Sequence, residues 1–165
     1  MVIYRVKQFM WAIASKFKPI DISVIKKYLN NDEENLFNKL SKSEKHHSIR
    51  VCKDALSKSI LRDVDKEKLA KIALLHDVGK SLGNLNIIDK SLIVILDKMT
   101  KGRLKRYNFS KKIDIYYNHP KKSVELLRNI HKYDDEFIEA IRKHHGKDIG
   151  TNVYLKIVKE CDDSN

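Results

Sequence analysis

Glycine and proline are scarce in this sequence, with five and two copies among 165 residues. All-β folds need many tight turns, and glycine and proline build most of them. Their shortage therefore argues against an all-β fold and favours an all-α fold in which short loops join the helices. A chain of this length is expected to form one domain whose hydrophobic core needs no covalent staple.

Cysteine is equally rare. The two copies, Cys52 and Cys161, stand far apart and form no CxxC pair, so no disulfide framework is indicated. Two reduced thiols are typical of a cytoplasmic protein, and we expect that location for this one.

Long hydrophobic runs are missing as well. The apolar run at residues 9–14 is shorter than the core of most signal peptides, which spans about 7–15 residues, and far shorter than the roughly 20 residues that cross a bilayer. We predict no transmembrane segment here and expect an amphipathic first helix that packs on the domain. Peripheral membrane contact through Phe9, Met10 and Trp11 is the alternative.

Acidic residues are outnumbered by basic ones, with 22 Asp and Glu against 34 Lys and Arg, so the formal net charge is +12. A basic protein attracts anions such as nucleotides, nucleic acids or lipid head groups, although a generally solubilising surface is an equal alternative. The basic residues are spread along the chain and select no partner by themselves. Residues 101–112 form a dense basic stretch, which we interpret as a solvated face, with a basic rim over a binding site as the alternative.

Apolar residues recur at helical spacing through almost the whole chain. The sequence SKSE at residues 41–44 has the spacing of a capping box, which predicts the start of a long helix. We expect the apolar run at residues 91–96 to be deeply buried, and Pro120 to be the first residue of its helix. After a first helix that is broken at residues 18–19, the predicted helices are 21–29, 31–40, 42–61, 66–76, 89–99, 120–131, 134–145 and 151–162.

Side chains of metal-binding types lie on the apolar faces of several predicted helices. Burying such groups without partners would cost several kcal/mol each, and a shared metal site would compensate them efficiently. Each one also has a simpler interpretation, as a hydrogen-bonded core histidine, a residue at a helix end or a surface carboxylate near the chain end. Six such residues occur together in this chain, and together they indicate one site: His47, His76, Asp77, His144, His145 and Asp162.

The order of these residues resembles the HD superfamily of metal-dependent phosphohydrolases. Within it, the chain looks most like the short HDIG-type proteins and the branch that includes the HD-GYP phosphodiesterases. The resemblance implies an all-α helical bundle with a single HD domain over residues 1–165, a motif-bearing core at 41–163 and N-terminal helices at 1–40 packed on it. The matching pieces are HSIRV (47–51), LLHDVGK (74–80), NHP (118–120), IRKHH (141–145) and IVKECD (157–162).

The resemblance further implies two divalent metal ions, which could be Fe, Mn, Mg, Zn or similar. The first ion would be held by His47, His76, Asp77 and Asp162. The second would share Asp77 and add His119 and His144, with His145 as a further candidate ligand. His46 is expected to face the other way, and His131 to be a surface residue.

The implied chemistry is phosphoryl transfer to water. Two neighbouring ions bridge a hydroxide that attacks phosphorus, Asp77 bridges the ions and helps orient the nucleophile, and Lys80 binds a phosphate oxygen. An ordinary solvated lysine is the alternative interpretation of Lys80.

The expected substrate is a small phosphorylated anion, such as a nucleotide, that contains a phosphoester or phosphoanhydride bond. The alternatives are a cyclic-dinucleotide or RNA phosphodiesterase and a non-catalytic, metal-containing domain that binds nucleotides and signals. The GYP signature is absent after His145, which weakens the case for a cyclic dinucleotide. No motif supports general nucleic-acid binding, and the sequence alone does not indicate an oligomeric state.

Overall fold

The computed structural model describes residues 18–83, 87–106 and 110–165. Within these ranges it is all α, as predicted, with eight α-helices and no strand. Three short 3₁₀-helices lie between them, at Ser59–Leu61, Val78–Leu82 and Leu104–Arg106. The α-helices are α1 (Ile22–Tyr28), α2 (Asn31–Phe37), α3 (Lys42–Lys58), α4 (Lys66–Leu75), α5 (Ile87–Met99), α6 (Lys111–Arg128), α7 (Asp135–Lys143) and α8 (Val153–Ser164).

Polar caps set where several helices begin. The capping box predicted before α3 is present: the Ser41 hydroxyl accepts from the Glu44 backbone N–H, and the Glu44 carboxylate accepts from the Ser41 backbone. The same arrangement, with Asn30 and Glu33, starts α2. At α1, by contrast, the Asp21 side chain makes no capping bond.

The main hydrophobic core surrounds α4. Helices α1, α3, α7 and α8 pack against α4, and α1 and α2 contribute Ile25, Leu29, Leu36 and Phe37 to the same core. No described helix is long and apolar enough to cross a membrane. The predicted first helix and its membrane-contact alternative lie outside the described residues, and one domain for the whole chain stays a prediction. The buried residues of α4 are Leu69, Ala70, Ile72, Ala73, Leu74 and Leu75.

The expectation of deep burial for residues 91–96 is wrong. Ile93 is buried, but Leu92 and Ile95 are 53% and 55% exposed. The reason is that, among the described residues, α5 packs through one face, against the first half of α6, where Ile93 joins Leu104, Ile113 and Ile115 in a small second core. The run therefore places apolar side chains on two faces of α5, and the second core covers the face that carries Ile93.

The predicted start of α6 at Pro120 is also wrong. The helix begins at Lys111 and continues through Pro120, which lies inside it. Ile113 and Ile115, in the part of the helix that precedes the proline, are buried against α5, and this packing extends the helix in the N-terminal direction. The remaining helix ends lie close to the predicted positions, except that α2 ends at Phe37, before residue 40.

Candidate metal centre

Five helices bring the predicted site residues together around one carboxylate, Asp77, which is fully buried. The donor atoms form two groups, in each of which they lie within 4.8 Å of one another. His46 and His131 lie outside both groups, as expected. Nε2 of His46 lies 3.2 Å from the Lys18 carbonyl oxygen, and His131 is exposed. One group comprises His47, His76 and Asp162, and the other comprises Asp77, His119, His144 and His145.

The two oxygens of Asp77 face different groups. Oδ2 lies 3.4 Å from Nε2 of His76 and 3.8 Å from Nε2 of His47. Oδ1 lies 3.2 Å from Nε2 of His119 and 3.7 Å from Nε2 of His144. The carboxylate therefore stands between the two groups, with one oxygen facing each.

The turn that follows α4 places Asp77 at this point. His76 caps the C-terminus of α4, and a 3₁₀-helix begins immediately after Asp77. The turn lies so close to α6 that a Cβ atom on Gly79 would be 2.2 Å from the backbone oxygen of His119. Only glycine fits this contact without movement of the backbone.

Ser123, one turn after His119 on α6, joins the turn to that helix. Its buried hydroxyl accepts from the Gly79 N–H at 2.8 Å and donates to the His76 carbonyl at 2.9 Å. Two backbone groups that would otherwise be buried without partners are thereby satisfied. The sequence did not predict this role, because a serine on a helix carries no signal of which loop will pack against it.

Backbone carbonyls fix the rings of three of the histidines. Nδ1 of His76 lies 2.8 Å from the Ala73 oxygen, and Nδ1 of His144 lies 2.7 Å from the Ile141 oxygen. Ala73 and Ile141 are in the last turns of α4 and α7, where carbonyls lack the amide partner four residues ahead. Since a carbonyl only accepts, Nδ1 carries the proton and Nε2 is directed at Asp77.

His119 is held in the same way, but in the middle of a helix. Its Nδ1 lies 2.9 Å from the Tyr116 oxygen. That carbonyl would normally accept from the amide of residue 120, and residue 120 is proline, which has no N–H. The proline thus leaves a carbonyl free for the histidine ring, which satisfies it and helps α6 to continue.

The pKa values of the histidines differ in direction. Burial lowers the pKa of His119 to about 4, and the nearby Lys80 ammonium adds to this effect. Burial also lowers the pKa of His47 and of His144, so these rings are neutral near pH 7. At His76 burial acts in the same direction, but the carboxylates of Asp77 and Asp162 outweigh it and raise the pKa to about 10.

Both carboxylates stay ionised. Burial opposes the charge of Asp77, but the Lys80 ammonium and the His76 imidazolium outweigh it and hold its pKa well below the usual range. Burial likewise opposes the charge of Asp162, but His47, whose Nε2 lies 2.8 Å from Oδ1, and His76 outweigh it and hold the pKa of Asp162 well below its usual range. Because an ionised carboxylate only accepts, His47 donates this hydrogen bond.

Lys80 forms an ion pair with Asp77, with Nζ 2.5 Å from Oδ2. Asp77 and Glu44 both raise the pKa of Lys80 against the effect of burial, so the ammonium is retained. Glu44 is buried one turn before His47 on α3. The sequence suggested only a capping role for Glu44, because its proximity to Lys80 depends on how α3 packs against the turn.

The chemistry of the donor set fits divalent cations. Nε2 of His76, Nε2 of His144 and Oδ1 of Asp77 are buried, and no hydrogen bond reaches them from the described part of the chain. Three buried polar atoms without partners around one carboxylate are costly unless a further group binds them. Imidazole nitrogens and carboxylate oxygens are ligands of Mn, Fe and Zn.

One side of the cluster is accessible. The His145 side chain is 46% exposed, whereas His76, His144 and Asp77 are fully buried. Nε2 of His145 lies 3.1 Å from Nε2 of His119, which has no proton to give, so His145 donates this hydrogen bond. A ligand from solution would approach on the side of His145.

The HD domain family model matches residues 45–164, which is most of the chain. The chain belongs to the HD domain family. HD domains are generally metal-dependent phosphohydrolase domains that bind divalent metals, and the all-α fold agrees with this membership.

A relative with a curated description is Ribonuclease Y of Mycoplasmoides gallisepticum. The two sequences are 31% identical over 120 residues, which cover 70% of this chain and 17% of Ribonuclease Y. This chain therefore corresponds to only a small part of that protein's length. No solved structure matches the chain.

Proposed function

We propose that this HD domain hydrolyses a phosphoester or phosphoanhydride bond in a nucleotide or related small molecule, using two divalent ions. His47, His76, Asp77 and Asp162 hold the first ion. The second shares Asp77 and is held by His119, His144 and His145. These assignments add the number of ions and the identity of the ligands to what family membership implies.

The observation that carries the proposal is the position of Asp77 between the two donor groups. Oδ2 lies 3.4 Å from the His76 nitrogen, and Oδ1 lies 3.2 Å from the His119 nitrogen. A buried carboxylate that served only one ion or one hydrogen bond would have no need of histidine nitrogens beside both oxygens. Bundles commonly build two-ion sites in this way, from side chains on facing helices.

Bound divalent ions supply Lewis acidity and lower the pKa of a coordinated water. The residues of the chain do the rest. The carbonyl bonds of His76, His119 and His144 hold the ring nitrogens in place before ions arrive, which reduces the ordering that binding requires.

Lys80 supplies a positive charge beside the site. Its ammonium is paired with Asp77 in this structure, and ions on Asp77 would compete for the same oxygen. Released from Asp77, the ammonium is close enough to the site to bind a phosphoryl oxygen. Lys80 therefore acts in substrate binding, and its removal should impair turnover more than metal retention.

A phosphodiester bond in RNA is the second candidate substrate. The similarity to Ribonuclease Y and the net charge of +12 both favour it. A nucleotide remains the first candidate because the donor atoms nearest Asp77 are buried, with access on the His145 side. A long RNA would need an extended groove lined with cations, and steep salt dependence of turnover would reveal one.

The proposal is tested with purified protein loaded with Mn²⁺ or Fe²⁺. Metal content is measured by mass spectrometry, and turnover is measured on phosphomonoester and phosphodiester dyes, a nucleotide panel and a short RNA. Asp77→Ala should lose bound metal and all turnover, whereas Lys80→Met should keep metal and lose turnover. His131→Ala, at an exposed histidine outside the cluster, is the matched control.

Each outcome decides between functions. Full turnover by Asp77→Ala would refute the mechanism. Stoichiometric metal with no turnover on any substrate would favour the alternative of a non-catalytic, nucleotide-binding signalling domain. Turnover on RNA alone, falling steeply with salt, would assign the second substrate class.

A further inference from the structure

Helix α5 carries an exposed apolar stripe. Leu92, Ile95 and Met99 are 53%, 55% and 74% exposed. Their spacing of three and four residues places them on one side of the helix. The other side is covered, since Ile93 packs with Leu104 and Ile113 in the small second core. Three large apolar side chains that share one helix face form a surface that favours contact with something apolar.

Cations are concentrated at the end of α5 and in the segment that follows it. Residues 98–112 contain seven Lys and Arg and no Asp or Glu. Lys98, in the last turn of α5, is exposed, and Lys101, Arg103 and Arg106 are exposed in the segment that follows. Most of the described ion pairs lie elsewhere; within this stretch, Lys112 pairs with Asp89 at 2.6 Å. The surface thus combines apolar side chains with a concentrated positive charge.

We propose that this α5 surface, formed by Leu92, Ile95 and Met99 with Lys98, Arg103 and Arg106, docks on an anionic lipid surface. Such a surface offers an apolar interior to the stripe and negative head groups to the cations, and an amphipathic helix with basic neighbours binds both.

The charge and the apolar stripe together disfavour other occupants. A second copy of the chain would bring the same cations face to face, which is unfavourable. RNA would satisfy the cations but leave the three aliphatic side chains in water, because RNA-binding surfaces offer aromatic or guanidinium groups for stacking. The inference is independent of the proposed hydrolase activity.

The test is co-sedimentation of the full chain with vesicles. One set contains phosphatidylglycerol and phosphatidylcholine in equal amounts, and the other contains phosphatidylcholine alone. Wild type should bind the anionic set, and the triple variant Leu92→Ser, Ile95→Ser, Met99→Ser should bind it about tenfold more weakly. Ile22→Ser with Ile60→Ser, which removes two apolar side chains that are 59% and 70% exposed elsewhere, should bind like wild type.

Charge is tested separately. Lys98→Gln with Arg103→Gln should weaken binding to the anionic vesicles by roughly fivefold per cation removed, with little effect on phosphatidylcholine. Lys39→Gln with Lys147→Gln, at exposed lysines of other segments, is the matched control. Circular dichroism of every variant verifies that the helical content is unchanged.

Several results would overturn the proposal. The proposal fails directly if the wild-type chain does not sediment with anionic vesicles. Vesicle binding that survives the triple variant would place the contact elsewhere, for example at Phe9, Met10 and Trp11. Binding of RNA but not vesicles, or a dimer that the triple variant dissociates without any lipid binding, would assign the surface to another partner.

Discussion

Replacing Pro120 with alanine should strengthen the fold and weaken the metal site at the same time. Proline inside a helix costs roughly 3 kcal/mol, because it removes a hydrogen bond and crowds the preceding turn. Alanine restores an amide that can bond to the Tyr116 oxygen, which the His119 ring occupies at 2.9 Å. The metal-free variant should therefore be more stable than wild type, by up to about 3 kcal/mol.

In Pro120→Ala, the new backbone amide of residue 120 competes with the His119 ring for the Tyr116 oxygen. Loss of a carbonyl bond behind a ligand histidine typically lowers metal affinity by about 10–100-fold, which corresponds to roughly 1.4–2.8 kcal/mol. A rise in the free energy of unfolding together with a loss of metal affinity distinguishes a positioning role of Pro120 from a merely structural one. A structural defect would lower both quantities.

Three measurements examine this prediction. Urea denaturation in the presence of a chelator gives the free energy of unfolding, calorimetric titration with Mn²⁺ gives the affinity, and ¹⁵N NMR of the imidazole gives the His119 tautomer. Pro19→Ala, at the other proline of the chain, is the control. If the variant kept the Nδ1–H tautomer and bound Mn²⁺ as tightly as wild type, the reasoning would fail.

Further predictions concern the turn after α4 and the charge of His76. Gly79→Ala should destabilise the chain by about 1–3 kcal/mol, because the added Cβ meets the His119 oxygen; urea denaturation with no loss of stability would contradict this. Ser123→Ala leaves the Gly79 amide and the His76 carbonyl buried without that partner and should also cost about 1–3 kcal/mol in the same assay; a change within error would show that other groups satisfy them. Because its pKa is raised to about 10, His76 is protonated at neutral pH and must lose its proton to bind metal. Calorimetry at pH 7 in two buffers of different ionisation enthalpy should show release of about one proton, and no release would refute the charged state. In metal-free protein, the stability that this charge contributes is complete below about pH 6.5 and is lost as the pH rises through about 10, which pH-dependent unfolding measures.

Local signals in the sequence predicted much of the fold. The SKSE sequence at the start of α3 forms the expected capping box, and the apolar spacing around His47 and His144 predicted which helix faces turn inward. Such signals act within one or two turns of a helix, so they can be recognised without knowledge of the tertiary structure. The helical class followed from them and from the scarcity of turn residues.

Features that depend on two segments meeting were missed. The sequence of α5 is apolar on both sides, and only the packing of Ile93 against α6 decides which side is covered. The preference of proline for the first turn of a helix suggested a start at Pro120, but tertiary contacts of Ile113 and Ile115 extend the helix beyond it. The role of Ser123 depends on the approach of Gly79, which no local pattern encodes.

The contact between His47 and Asp162 joins residues that are 115 positions apart. During synthesis, the chain makes α3, the turn after α4 and α6 before α8 leaves the ribosome. Until α8 packs, His47 and His76 lack the carboxylate of Asp162, and the main core lacks the buried Leu155, Ile157 and Val158. Tight ion loading would then report that α8 is in place, and proteolytic loss of α8 should release metal and unfold the main core together.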